Sequence, residues 1–326
     1  MGESTEVGES TEMGEVVLTE KKHATIGLVY SAEMRNNGTP VLCWDAIKRG
    51  LGWGARVVRY TPAGRIPEHD VYVYIDDGRD DIEWVCPKPN AYWAIDTHLG
   101  YAARLKKARN FDWVFCAQLP TVERFKADGI ENVEWLPLAC HPASQPDLKE
   151  MLAHPEMVKL APRGLDKKWD LVFVGYINCA QGEGFNNRLE YLDRMWKEFP
   201  NAWLTTNVFF EDMAVRYIQG RVGFNVSIRD DLNMRVFEVL STGTALLTNR
   251  NVVGLQELDL IEGTHYMGFE GVEEAIEKCR WMLANPDERE IIAMSGHLEV
   301  REKHTYAQRM RYVLSKFGLE GGRQDA

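Results

Sequence analysis

The stretch 223–249, GFNVSIRDDLNMRVFEVLSTGTALLTN, holds the residue types best suited to chemistry. A β-rich run ends at Ile228, and a polar loop, 229–233, leads into a helix that starts near Asn233. The unpaired N–H groups and the dipole of a helix N-terminus favour an anion. Arg235, in the first turn, adds a planar fork suited to phosphate oxygens. Glu238 follows one turn later, where a carboxylate can accept hydrogen bonds from a vicinal diol such as that of a ribose. Gly243 lets the chain turn sharply into the next strand. Together these residues predict a notch that grips a phosphate group while one acid meets a neighbouring diol.

Such groups need strand tips and helix starts held side by side. Short β-rich runs at 24–31, 56–60, 71–75, 92–95, 113–116 and 133–138 alternate with helical spacing at 41–51, 101–108 and 121–127. Strands alternating with helices imply parallel pairing through right-handed crossovers. Residues 141–168 break the pattern with Pro142, Pro146, Pro155 and Pro162, and read as a connection. The alternation then restarts, with strands at 170–174, 202–205, 223–228 and 245–248. Helices are expected at 188–199, 212–219, 234–242, 273–284 and, with a break, 288–317. The expected fold class is α/β, with two Rossmann-like doubly wound domains facing a cleft. Open α/β sheets bind ligands beyond the C-terminal ends of their strands, so the site should lie between the domains. The expected divisions are a disordered acidic tail (1–22), a first domain (23–140), a linker (141–168), a second domain (169–303) and a C-terminal helix (304–326).

Composition narrows the alternatives. A chain of 326 residues suits two domains of about 100–200 residues each. Hydrophobic residues at 45% and charged residues at 27% exclude a wholly disordered chain, a collagen-like fibre and a disulfide-rich miniprotein. No apolar run approaches the roughly 20 residues of a membrane span. The net charge of −11 disfavours a protein that lives on nucleic acid or anionic membrane. That charge is uneven: −4 over 1–22, −1 over 23–140 and −6 over 141–326. A polyanionic partner would therefore meet the first domain. The N-terminus repeats GESTEV as GESTEM, acidic and without aromatics, as a mobile tail would. It has neither the basic start nor the apolar stretch of a signal peptide, so a cytoplasmic location is expected. Cys43, Cys86, Cys116, Cys140, Cys179 and Cys279 are far apart and form no C-x-x-C. They read as buried free thiols. The eight His residues show no zinc-ligand spacing.

The run N-x-R-V-F-E-V-L-S-T-G-T-A-L-L-T-N resembles the signature of nucleotide-sugar glycosyltransferases with the GT-B fold. It is most similar to the CgeB-like spore-maturation branch of the group 1 glycosyltransferases. Asp170–Gly175, Arg188, Pro286-Asp-Glu-Arg289 and His304-Thr305-Tyr306 with Arg309 resemble further features of that family, over about 168–312. The resemblance implies transfer of a sugar from a nucleoside diphosphate to an acceptor hydroxyl, and it favours retention at the anomeric carbon. It implies that Glu238 binds the ribose, and that Asp230, eight positions earlier, replaces the family's first motif glutamate at the donor sugar. Arg188 and Arg235 would contact the diphosphate, with the helix N-terminus at Asn233 and the loop after Gly175 beside it. The first domain would then meet the acceptor, with Gly38 and Thr39 closing over donor or acceptor.

Other strand ends offer Asp76-Asp77-Gly78 and Asp96-Thr97-His98. His98 or Asp96 is placed to act as a base or to steady the transition state. The Asp pairs 76–77, 80–81 and 230–231 raise the question of a metal. None is expected, because arginines and a helix N-terminus neutralise the diphosphate in such relatives, and turn and cap roles for Asp are common. No cofactor is expected beyond the nucleotide sugar as co-substrate. The acceptor is a carbohydrate or another hydroxyl compound. One alternative acceptor is a modified base in DNA, with Arg104, Lys106, Lys107 and Arg109 tracking phosphates. Another alternative is a non-catalytic nucleotide-sugar-binding protein. A nicotinamide-dependent dehydrogenase ranks low, because no G-x-G-x-x-G follows the first strand.

Overall fold

The computed structural model describes residues 24–31, 38–61, 64–78, 85–161, 164–177 and 185–319. The acidic repeat, Asn36, Asn37, Asp80, Asp81, Cys179 and most of the loop after Gly175 lie outside these residues.

Six parallel strands build the first sheet: β1 (Thr25–Ser31), β2 (Gly54–Tyr60), β3 (Val71–Ile75), β4 (Asn90–Ala94), β5 (Trp113–Cys116) and β6 (Val133–Trp135). Their order is β2-β1-β3-β4-β5-β6. Between them run α1 (Thr39–Asp45), α2 (Tyr101–Ala108) and α3 (Leu119–Ala127). Strands β3 and β4 are buried along their whole length, as parallel strands covered on both faces must be.

The connection carries two short helices, α4 (Leu148–Ala153) and α5 (Pro155–Val158). Asp147 and Glu150 form a reciprocal cap at the start of α4. The second sheet contains β7 (Trp169–Val174), β8 (Ala202–Thr205), β9 (Gly220–Asn225), β10 (Ala245–Asn249) and β11 (Met267–Phe269). Its order is β11-β10-β9-β7-β8, again all parallel. Its helices are α6 (Phe185–Glu198), α7 (Phe210–Ile218), α8 (Met234–Ser241), α9 (Gly271–Ala284) and α10 (Pro286–Lys303). The final helix, α11 (Tyr306–Ser315), follows a capping box at Thr305 and Gln308.

Both strand orders reverse direction once, between β1 and β3 and between β7 and β9. At such a reversal the crossovers leave on opposite faces and open a crevice. The structure sets the two crevices against each other.

One apolar core runs through the junction. It joins Leu28, Val73 and Trp93 of the first sheet to Val172, Tyr217 and Leu240 of the second, and to Tyr306 and Met310 of α11. Helix α11 packs on α1 and the wide helical turn that continues it to Leu51. Arg309 donates to the carbonyls of Pro137 (2.8 Å) and Leu138 (3.4 Å). The last helix thus returns to the first domain. Among the described residues no helix is long and apolar enough to cross a membrane.

The expected strand at 133–138 stops at Trp135, because the indole N–H reaches back to the Ala117 carbonyl (3.1 Å) and the chain leaves the sheet. The strand expected to end at Ile228 ends at Asn225.

Candidate active site between the two sheets

A cleft of about 570 Å³ lies between the domains, within the usual range of small-molecule sites, about 300–1,000 Å³. Thr39, Ile95, Asp96, His98 and Leu138 line it from the first domain. From the second come Gly175, Arg188, residues 206–209, Asp231, Asn233, Arg235 and Glu238.

Helix α8 starts at this cleft. Asn233 caps it, its side-chain oxygen accepting the Arg235 N–H (3.1 Å). The Asn233 amide also donates to Asn225 and Ser227, at 3.2 Å each. The expected helix N-terminus is therefore partly spent on its own cap. Arg235 is buried and bridges the β7/β9 reversal. Its Nε donates to the Val174 carbonyl at the tip of β7 (2.7 Å), and Nη1 donates to Asn225 Oδ1 at the tip of β9 (2.8 Å). The guanidinium lies over the Phe173 ring, 4.2 Å from its centre. A methyl group at Gly175 would overlap Arg235 Nη2, so glycine is what lets the arginine lie flat across the strand tip. The expected free phosphate fork is instead a cross-strand tie, with Nη2 against Gly175 at the cleft wall.

Arg188 is also buried. It donates from Nε to the Val226 carbonyl (3.0 Å) and from Nη1 to the Tyr176 carbonyl (3.3 Å). Glu238 sits one turn beyond Arg235 and lines the cleft. Burial pushes its carboxyl up to about 7, against the opposing pull of Arg235.

On the opposite wall, Asp96 follows β4 with a left-handed φ of 54°. His98 Nδ1 is buried with no hydrogen-bond partner among the described residues. Asp96, His98 and Asp231 can each bring one ligand atom within 4.8 Å of the others. Desolvation and then the Asp231 charge push the Asp96 carboxyl up. Desolvation also raises Asp231, while His98 and Gln118 oppose the rise. Such a trio can share a proton or a divalent cation.

Asp231 is held from across the domain gap. Gln118 Nε2 donates to Asp231 Oδ1 (3.0 Å). The Gln118 oxygen accepts both the N–H and the hydroxyl of Thr97, at 3.0 and 2.9 Å. That fixes which way the amide points. Arg229 Nη1 donates to the His98 carbonyl (2.7 Å) and ties the same loop to the same wall.

Eight expected site residues meet in the cleft: Thr39, Asp96, His98, Gly175, Arg188, Asn233, Arg235 and Glu238. Gly38 lines an adjoining recess instead. Asp230 does not reach the cleft. Arg229 and Asp230 both have left-handed φ, 51° and 58°, and the loop doubles back there. The Asp230 side chain then faces a different cavity with Asn249, Asn251 and Tyr191. Its neighbour Asp231 takes the cleft position. Sequence reasoning named the Asp-Asp pair but chose its first member by the eight-residue spacing. It missed Gln118, for which no local signal exists.

The acids at 76 and 77 are structural. Asp76 accepts from Arg104 Nε (2.9 Å), the Tyr92 hydroxyl (2.8 Å) and the Gly78 N–H (2.9 Å). Asp77 accepts from the Tyr60 and Tyr74 hydroxyls, at 2.9 and 2.7 Å, and from the Ser31 N–H (3.1 Å). The basic stretch on α2 is broken for the same reason. Arg104 is buried on Asp76, and Lys107 leans toward Asp77 (3.8 Å). Only Lys106 and Arg109 of the four are exposed.

Residues 157–315 match the family model described as Glycosyl transferase-like. No curated protein matches the chain significantly. Solved structures of similar fold include sucrose-phosphate synthase from Thermosynechococcus elongatus. It shares 11% identity, covers 90% of this chain and 98% of its own, and has a TM-score of 0.58. HepE from Anabaena, solved with UDP-glucose, shares 10% identity over 91% of this chain and all of its own, with a TM-score of 0.58. An α-glucosyltransferase solved with UDP and a 13-mer DNA containing an HMU base shares 10% identity over the same shares, with a TM-score of 0.61. Residues 157–315 are thus similar to the glycosyl transferase-like family, and the two-domain architecture is that of the GT-B fold.

Proposed function

We propose that the protein is a glycosyltransferase that moves a sugar from a nucleoside-diphosphate sugar to an acceptor hydroxyl, with retention at the anomeric carbon. The observation that carries the reading is the pairing of Arg235 and Glu238, one turn apart on α8, both lining the inter-domain cleft. The matched family domain contains both residues, and a similar fold was solved with UDP-glucose. The motif likeness to the CgeB-like branch belongs to this proposal.

In this reading the diphosphate lies at Gly175, between Arg188 and the Nη2 edge of Arg235. The ribose hydroxyls bond to Glu238, and the base rests against residues 206–209. As transfer proceeds, the acceptor oxygen bonds to the anomeric carbon. The bond from that carbon to the phosphate oxygen breaks, and its electron pair leaves with the diphosphate. The hydroxyl proton passes to the departing phosphate on the same face. Positioned positive charge at the leaving group supplies the main stabilisation. Asp96, His98 and Asp231 face the sugar from the far wall, with Asp231 in the role first assigned to Asp230. Neutralisation by the two arginines requires neither a divalent ion nor a cofactor in this scheme.

The test is a thermal-shift screen against UDP, GDP, ADP, TDP and CDP sugars, repeated with Glu238→Ala and with EDTA. The expected result is one donor class that stabilises the wild type, fails with the variant and is indifferent to EDTA. Absence of any stabilising donor would overturn the reading; loss with EDTA would move the Asp96–His98–Asp231 trio from substrate contact to metal binding. A DNA acceptor is disfavoured by the inward-facing Arg104 and Lys107.

A further inference from the structure

Beside the cleft a recess of about 240 Å³ opens between the domains. It shares Thr39, Ile95, Phe209, Met213, Met234 and Glu238 with the cleft. Its remaining walls include Tyr30, Pro40, Leu42 and Ile75 from the first domain and Phe210 from the second. It touches none of Gly175, Arg188 and Arg235, so it lies away from the proposed diphosphate position.

Most of the residues lining it are apolar, and two of its polar side chains are engaged. Asp76 already accepts from Arg104, Tyr92 and Gly78. The Gln145 oxygen accepts the His141 N–H (2.7 Å). A carbohydrate carries a hydroxyl on nearly every carbon. Buried here, most of those hydroxyls would lose water and gain no partner, and each unpaired one is unfavourable by about 1–3 kcal/mol. A nucleobase, with its polar edge, meets the same objection. An apolar body meets none, and the volume equals the share of about eight waters, room for one substituted ring.

We propose that this recess receives the body of the acceptor, which makes the acceptor an alcohol or phenol with a compact apolar ring or branched chain rather than a sugar. The hydroxyl then sits at the border with the cleft, beside Ile95, the chain neighbour of Asp96, where the two spaces meet. The inference rests on the transferase reading for the word acceptor, while the recess and its preference for apolar ligands stand apart from it.

The experiment is a ligand-observed NMR titration of the full chain with 4-ethylphenol, glucose and glycerol, with and without UDP. Phe210 lines the recess but not the cleft, and its φ of 53° is left-handed. Phe210→Gly therefore removes an aromatic wall while relieving backbone strain. We expect saturable 4-ethylphenol binding to wild type, about tenfold weaker in Phe210→Gly, with UDP binding unchanged and no binding of glucose or glycerol. Binding of glucose in preference to the phenol would overturn the proposal, and so would phenol affinity indifferent to Phe210→Gly. If no nucleotide sugar binds while the phenol result holds, the transferase reading fails and the apolar recess remains.

Discussion

Glu238 is the residue on which the cleft's chemistry turns. Its carboxyl is pushed up to about 7 by burial, so it is largely protonated at pH 6 and largely ionised at pH 8. A carboxylate accepts from both ribose hydroxyls, whereas the neutral acid offers one acceptor fewer. Nucleotide affinity should therefore rise between pH 6 and 8, and Glu238→Gln should flatten that rise in calorimetric titrations. The same shift sets a stability trend. A carboxyl whose folded value lies above its unfolded one favours the native state at low pH, and loses that contribution as pH climbs through about 7. Gly175→Ala forces the Arg235 guanidinium off the strand tip. Nucleotide affinity should fall at least about tenfold, as expected when a charge-assisted contact is lost, and a titration against wild type would show it. Gln118 touches Asp231 and not the diphosphate position, so it is a positioning residue. Gln118→Ala should lower kcat for donor hydrolysis about tenfold, the scale of one hydrogen bond to a charged group, and leave donor KM within about twofold.

The loop after β9 and the helix it feeds show what an element does that single residues cannot. Asn233 holds the first turn of α8, and through it the spacing between Arg235 and Glu238. Asn233→Ala should remove about 1 kcal/mol and lower the melting temperature by about 2–4 °C, as read by circular dichroism. At this scale the sequence was partly legible. The run 170–174 stands out because it is buried, β-rich and bounded by charge and glycine. The Asn233 start of α8 was legible because capping chemistry is local. Strand β11 was not, since three residues carry too little pattern to separate a strand from a loop. The choice between Asp230 and Asp231 was not legible either. It depends on two successive left-handed residues, neither of them glycine, held in part by tertiary contacts with His98, Asn249 and Val253. The inward turn of Arg104 was hidden for a similar reason, because its partner Asp76 lies 28 positions away.

Across the whole molecule, His304 marks the point where the chain turns back to the first domain. Its Nε2 faces the Leu258 carbonyl (3.0 Å) and Nδ1 faces Arg309 Nη2 (3.4 Å), so the proton belongs on Nε2. Burial and then the Arg309 charge lower it to about 4. A histidine held neutral in the folded state contributes stability above its unfolded value near 6.5, and that contribution is lost as pH falls from there toward about 4. Denaturant titrations from pH 7 to 4 should show a loss of order 3 kcal/mol from this group, with the slope reduced in His304→Gln. Because Tyr306, Met310, Val313 and Leu314 complete the same core as Leu28 and Leu42, one face of the first sheet has no finished cover until residues 306–315 have been synthesised. On the ribosome it must wait for a segment more than 150 residues downstream of its own last strand. Chains halted before that segment would carry a half-built, greasy face of the kind chaperones bind.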